Sequence, residues 1–155
     1  MAQVSRVRTL GAAAAAYIAG LVDGEGTITM SRLHANERRR LVVSIANTEL
    51  PLLRFVLDEI GAGKITRKRT LSARHTPSFC YAITSRQAMS LLCQIAPWLR
   101  TYKRRRADYA IAHYESLTPR NGKYSAQQLA DRRDFETRFL AILPDPGDDG
   151  TARPS

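Results

Sequence analysis

A chain of 155 residues with 44% hydrophobic and 25% charged side chains is sized for one domain with a real core. No apolar run approaches the roughly 18 to 20 residues of a membrane span, and the alanine run near the N-terminus continues into Asp23 and Glu25 instead of a cleavage site, so neither a membrane partner nor an export signal is expected. Twenty-four Lys and Arg against 14 Asp and Glu give a net charge of +10, which calls for a polyanionic partner rather than a small-molecule substrate.

In chain order, Met1 to Arg8 is polar and expected to fray, and Thr9 is the expected N-cap of a helix through Asp23, closed by Gly24 and Gly26. "TITMSRL" from Thr27 and "RRRLVVSIA" to Ala46 alternate with period two about a polar turn at His34 to Glu37, predicting a hairpin. "TELPLLRFVLDEI" predicts a second helix, with Thr48 as N-cap, Pro51 in the first turn and Gly61 as terminator. "GKITRKRTL" and "SFCYAITS" predict a second hairpin about Ser72 to Pro77, and "RQAMSLLCQIAPWL" a third helix ending near Pro97. Further helices are expected over Arg104 to Ser116 and Ser125 to Ile142. One domain over 1–143 and a disordered acidic tail over 144–155 complete the expected organisation. Cys80 and Cys93 lack metal-type spacing and are expected to be buried reduced thiols, which suits an intracellular protein of the cytoplasm, nucleoid or an organelle.

This order predicts an α+β fold, a four-stranded antiparallel sheet with helices on one face. Alternation sends Ile28, Met30, Leu41, Val43, Ile45 and Ile65 inward. It leaves Thr27, Thr29, Ser31, Arg40, Val42, Ser44, Lys64, Thr66 and Lys68 on the other side, flanked by Arg32, Arg38, Arg69 and Arg74. Cations for phosphates, with hydroxyl and guanidinium groups for base edges, suit double-stranded DNA.

"IAGLVDGEG", Ile18 to Gly26, closely resembles the signature of the LAGLIDADG homing endonucleases, keeping Ala19, Gly20, Leu21, Asp23 and Gly26. The element order over about residues 10 to 115 resembles that family's αββαββα core, and "SIANTELPLLRFVLDEIGAGKI" and "APWLRTYKRRRADYAI" are further echoes. A single signature implies the homodimeric type, in which signature helices pack together. On that reading small residues at Ala15, Ala16, Ala19 and Gly20 allow close approach, with Asp23 near the interface as a structural acid. The resemblance implies that Glu25 and the Gly24 carbonyl hold Mg²⁺, or another divalent ion such as Mn²⁺ or Ca²⁺. It also implies that Asn47 orders active-site water and that Lys103 lies near the scissile phosphate, with Arg100 and Arg105 as competitors and Arg105 a DNA contact in either case. The implied activity is metal-dependent cleavage of both strands of a long pseudo-palindromic site, leaving short 3′ overhangs. The alternative is a relative that keeps the fold without cutting, acting as an RNA maturase or DNA-binding regulator.

Other chemistry finds no support in the residues. Gly24 and Gly26 stand between helix and strand with no Gly-Lys-Ser/Thr, so they do not form a phosphate loop. His34, His75 and His113 are far apart in sequence, and no nucleophilic triad is visible.

Overall fold

A computed structural model describes residues 6–69 and 72–147. The start of the N-terminal segment, the last two residues of the predicted third strand and the tail from residue 148 lie outside the described residues. The order is α1 (Ala12–Glu25), β1 (Gly26–Ser31), β2 (Arg40–Asn47), α2 (Leu50–Ile60), β3 (Lys64–Arg67), β4 (Phe79–Thr84), α3 (Ser85–Ile95), a 3₁₀ turn (Ala96–Trp98), α4 (Tyr102–His113) and α5 (Ala126–Leu140). The four strands form one antiparallel sheet in the order β1-β2-β4-β3, giving the expected α+β architecture.

Local chemistry explains several boundaries. Pro51 enters the first turn of α2, and Gly61 ends that helix at φ 75°, a left-handed conformation that glycine adopts without strain. Ser125 and Gln128 form a capping box that starts α5, and the Thr101 hydroxyl accepts the Lys103 N–H at the start of α4.

Other boundaries are set by tertiary contacts and depart from expectation. Arg8 is pinned, not frayed: its N–H donates to the Ile60 carbonyl at 2.8 Å, and its own carbonyl accepts from Gln94 Nε2. Leu10 N–H donates to Gln94 Oε1, so the chain stays extended past Thr9, and Gly11 is the N-cap of α1. At the other end α1 passes Gly24 and runs directly into β1, with Gly26 extended at φ −109°. Asn47 Oδ1 accepts the Glu49 N–H, and Glu49 instead of Thr48 caps α2. The thiols also differ: Cys93 is exposed, and Cys80 is half-buried in β4.

The inner face of the sheet, with Ile28, Leu41, Val43, Tyr81 and Ile83, packs against α1, α2 and α3. From α1 this core takes Ala15, Ile18, Ala19 and Val22. Ala15 and Ala19, expected at a subunit interface, are therefore buried inside their own chain, at 4% and 0% exposure. The opposite stripe of α1, at helical spacing, is Ala13, Tyr17, Gly20 and Gly24, with Ala16 half-buried beside it.

Helices α4 and α5 guard the outer edge of β1, where unpaired carbonyls would invite another strand. Buried Arg106 donates from Nη1 to Ile28 O at 2.8 Å, and Arg39 donates from Nη1 to Met30 O at 3.3 Å. Two arginines thus occupy acceptors that strand pairing leaves open.

Candidate active site and sheet surface

The last turn of α1 is where the sequence signature meets three other elements. Gly26 is held between the helix and β2: a Cβ there would lie 2.7 Å from Val22 Cα and 2.8 Å from the Ser44 carbonyl oxygen. No other residue allows so close a crossing of helix and strand. Asp23 faces the start of α4, its Oδ2 accepting from Arg100 N at 2.8 Å and its Oδ1 from Thr101 Oγ1 at 2.6 Å and Thr101 N at 3.2 Å. It is an anchor, with its carboxylate committed to the start of α4 inside its own chain.

Lys103 enters from α4. Its Nζ donates to the Val22 and Asp23 carbonyl oxygens, both at 2.8 Å. Burial pulls this ammonium below the usual lysine range, and the Asp23 carboxylate pushes back more weakly. A cation on the last carbonyls of a helix is favoured by their partial negative charge. The side chain therefore fixes the end of α1, and through it the place from which Glu25 projects.

Glu25 itself is exposed, with no hydrogen-bond or ion-pair partner among the described residues. Asn47 ends β2 at the same end of the sheet, since Gly26 pairs with Ile45, but it shares the strand parity of Ile45 and Val43, and its Oδ1 is held by Glu49. Lys103 is thus fixed on the end of α1 from which Glu25 projects free of partners among the described residues, while Asn47 closes the neighbouring strand at the same end of the sheet. Among the described residues no cluster of three or more His, Cys, Asp or Glu side chains could enclose a metal. Glu25 and the Gly24 carbonyl are a hard oxygen donor set at the negative end of a helix. They fit an ion such as Mg²⁺ that takes few protein ligands and completes its shell elsewhere.

From this end the free face of the sheet extends in register. Thr27, Ser44, Ala82 and Lys64 form one cross-strand row, Thr29, Val42 and Thr84 another, and Ser31 pairs with Arg40. Thr66 stands beside Cys80, with exposed Lys68, Arg69 and Arg74 around the β3–β4 connection. At the far end of the first hairpin, Ser31, Arg32, Arg38, Arg40 and Glu37 help line a hollow of about 510 Å³. Arg105 stands apart from these rows in the contacts it makes. It lies with Arg100 in a cleft beside Asp23 and Lys103, and its Nη2 donates to Leu143 O at 2.9 Å. Sequence reasoning missed Tyr17, half exposed on α1 and edge-on to Phe55 at 5.6 Å, although its spacing of three from Gly20 was the available signal. It also missed Arg132, described below.

No protein-family model and no curated sequence matches the chain, whereas solved structures do. The homing endonuclease I-CvuI, solved with its target in the presence of Ca, aligns at TM-score 0.68 and 17% identity over 91% of this chain and 85% of that one. The archaeal intron-encoded homing endonuclease I-Vdi141I, complexed with DNA, aligns at 0.57 and 16% over 86% and 85%. The LAGLIDADG homing endonuclease I-GzeII, in complex with its DNA target, aligns at 0.58 and 15% over 95% of this chain but 53% of that one. The chain has the LAGLIDADG homing endonuclease fold.

Proposed function

We propose that two copies of this chain form a site-specific DNA endonuclease that cuts both strands of a long, approximately palindromic duplex and leaves short 3′ overhangs. The observation that carries this reading is Glu25: a carboxylate with no partner among the described residues, at the exposed end of α1 where the chain enters a sheet face of hydroxyls and cations. One acid per chain makes an incomplete ion site, and a second copy brought up along α1 would supply another.

Each side chain then has a task. Lys103 holds the α1 terminus, Asp23 ties that terminus to α4, and Glu25 would supply a carboxylate oxygen to a divalent ion. A bound ion would polarise the scissile phosphate and lower the pKa of an attacking water. With its Oδ1 held by the Glu49 N–H, Asn47 has its amide nitrogen left to orient that water. β1 and β2 run outward from this centre along the duplex, and Thr29, Ser44 and Arg40 reach base edges or phosphates in the flanking major grooves.

Incubation with fragmented genomic DNA, with Mg²⁺ or with chelator, followed by sequencing of new ends, tests the reading. Metal-dependent ends clustered on one pseudo-palindrome are expected. Selective binding without new ends would instead identify a recognition protein that no longer cuts, and RNA partners would follow.

Two variants probe the assembly. Nothing lies within 4 Å of a Cβ built at Gly20, so Gly20→Leu is expected to keep the monomer folded while light scattering shows loss of the dimer. An intact dimer would remove this stripe from the interface. Lys103→Met leaves Asp23 O without its donor, and a loss of about 1–3 kcal/mol in stability is expected. Cleavage of the selected site should fall at least tenfold while gel-shift affinity holds. Unchanged cleavage would show that the helix end needs no cation.

A further inference from the structure

The first hairpin is fastened to a part of the molecule that the sheet does not include. Arg38 turns away from the hairpin: its guanidinium lies 3.9 Å over the Tyr124 ring, and its Nη2 donates to Gly122 O at 3.4 Å. Next to it, Arg132 of α5, 2% exposed, donates from Nη2 to Arg39 O at 2.7 Å and from Nη1 to Leu117 O at 3.2 Å and to the Thr118 hydroxyl. Arg86 donates to Thr118 O at 2.8 Å. Both ends of the α4–α5 connection are thereby held against fixed points, while its middle, Arg120 to Lys123, is exposed.

The exposed middle is cationic and uncompensated. Neither Arg120 nor Lys123 has an ion-pair partner among the described residues. Carboxylates of the surrounding elements have other partners: Glu115 lies 3.9 Å from Arg86 Nη1, Glu136 accepts from Arg39 N at 2.7 Å and lies 3.8 Å from Arg132 Nε, and Glu37 faces the His34 N–H. The connection leads into α5, whose first turn carries no acid, so the positive helix end adds to the same field. Arg32 and Arg40 line the adjoining hollow.

We propose that the α4–α5 connection is a phosphate-binding element that grips the outer flank of the duplex through Arg120 and Lys123, with Arg38 as the strut that positions it. This rests on the DNA-binding reading above and extends it beyond the sheet. Glu25 and this connection stand at opposite ends of β1, which at roughly 3.3 Å per residue separates them by about 20 Å. At about 3.4 Å per base pair the contact falls some six base pairs from the centre of the site. Lysine and arginine on a connection carry charge without base-edge geometry, so the contact adds affinity but no sequence preference.

The test uses the full chain with Arg120→Gln and Lys123→Gln together, and separately Arg38→Ala. Binding is measured against salt on the selected site and on an unrelated duplex of equal length. Loss of two phosphate contacts per copy is expected to reduce the slope of log K against log salt by about 3 to 4 for a dimer. Affinity on both duplexes should fall at least tenfold, with base preference unchanged and phosphate-ethylation interference lost only at the outermost positions. Arg38→Ala should give the same change and add little when combined with the double variant. An unchanged slope on both duplexes would overturn the proposal, and an additive Arg38 effect would overturn its role as strut. Because the unrelated duplex reports phosphate contact alone, failure to select a site would count against the endonuclease reading without deciding this one.

Discussion

Replacing Glu25 with glutamine is expected to abolish DNA cleavage while leaving the fold and site binding in place. The substitution keeps the shape of the side chain and removes the only charge on it. Because Glu25 is exposed and has no partner among the described residues, the unfolding free energy should stay within about 0.5 kcal/mol of the parent chain. What is lost is the negative charge of the oxygen ligand that would hold an ion at the end of α1. Metal assistance contributes several kcal/mol to such a barrier, and at 1.36 kcal/mol per tenfold the cleavage rate should fall by about three orders of magnitude. Single-turnover cleavage and gel-shift binding on the same duplex separate the two effects. Cleavage at the parental rate, or cleavage by the parent chain in chelator, would remove Glu25 from the chemistry. The neighbouring acid behaves differently: Asp23 accepts three hydrogen bonds from Arg100 and Thr101, so changes there act through the join between α1 and α4.

The second large effect is structural and falls on the glycine that follows. Gly26→Ala is expected to lower stability by about 3 kcal/mol, near 10 °C in midpoint for a chain of this size. The cause is crowding, not backbone conformation, since φ −109° suits any residue. The added carbon meets Val22 Cα and the Ser44 carbonyl, both backbone atoms that cannot rotate aside, so α1 must move off β2. Glu25 moves with it, and cleavage should fall further than the fraction unfolded explains. Gly24→Ala is the control. Its Cβ would enter open space within a helix, and stability should hold or rise by up to about 1 kcal/mol. Equal midpoints for the two variants, measured calorimetrically, would show that the crossing of helix and strand is looser than it stands here.

The contrast between these glycines shows what local pattern can carry. Both belong to one nine-residue stretch and look alike in sequence, yet one is required by a strand whose contact residue lies eighteen positions further along and the other is not. The same holds for the alanines. In a run of five, nothing distinguishes one helical face from another, and packing against the sheet determined that Ala15 turns inward while Ala13 stays outside.

From the sequence alone came the order of helices and strands, the polar face of the sheet and the acid at the end of the first helix. These follow from apolar periodicity, capping residues and a contiguous motif, all properties of neighbours in the chain. Tertiary structure decided the rest: which face of α1 is buried, that Lys103 reaches carbonyls 80 residues away, and that Arg38 and Arg132 tie the first hairpin to the α4–α5 connection. Long cationic side chains look solvent-bound in any local pattern. Their partners are backbone carbonyls and aromatic rings that only the folded chain brings within hydrogen-bonding or stacking distance.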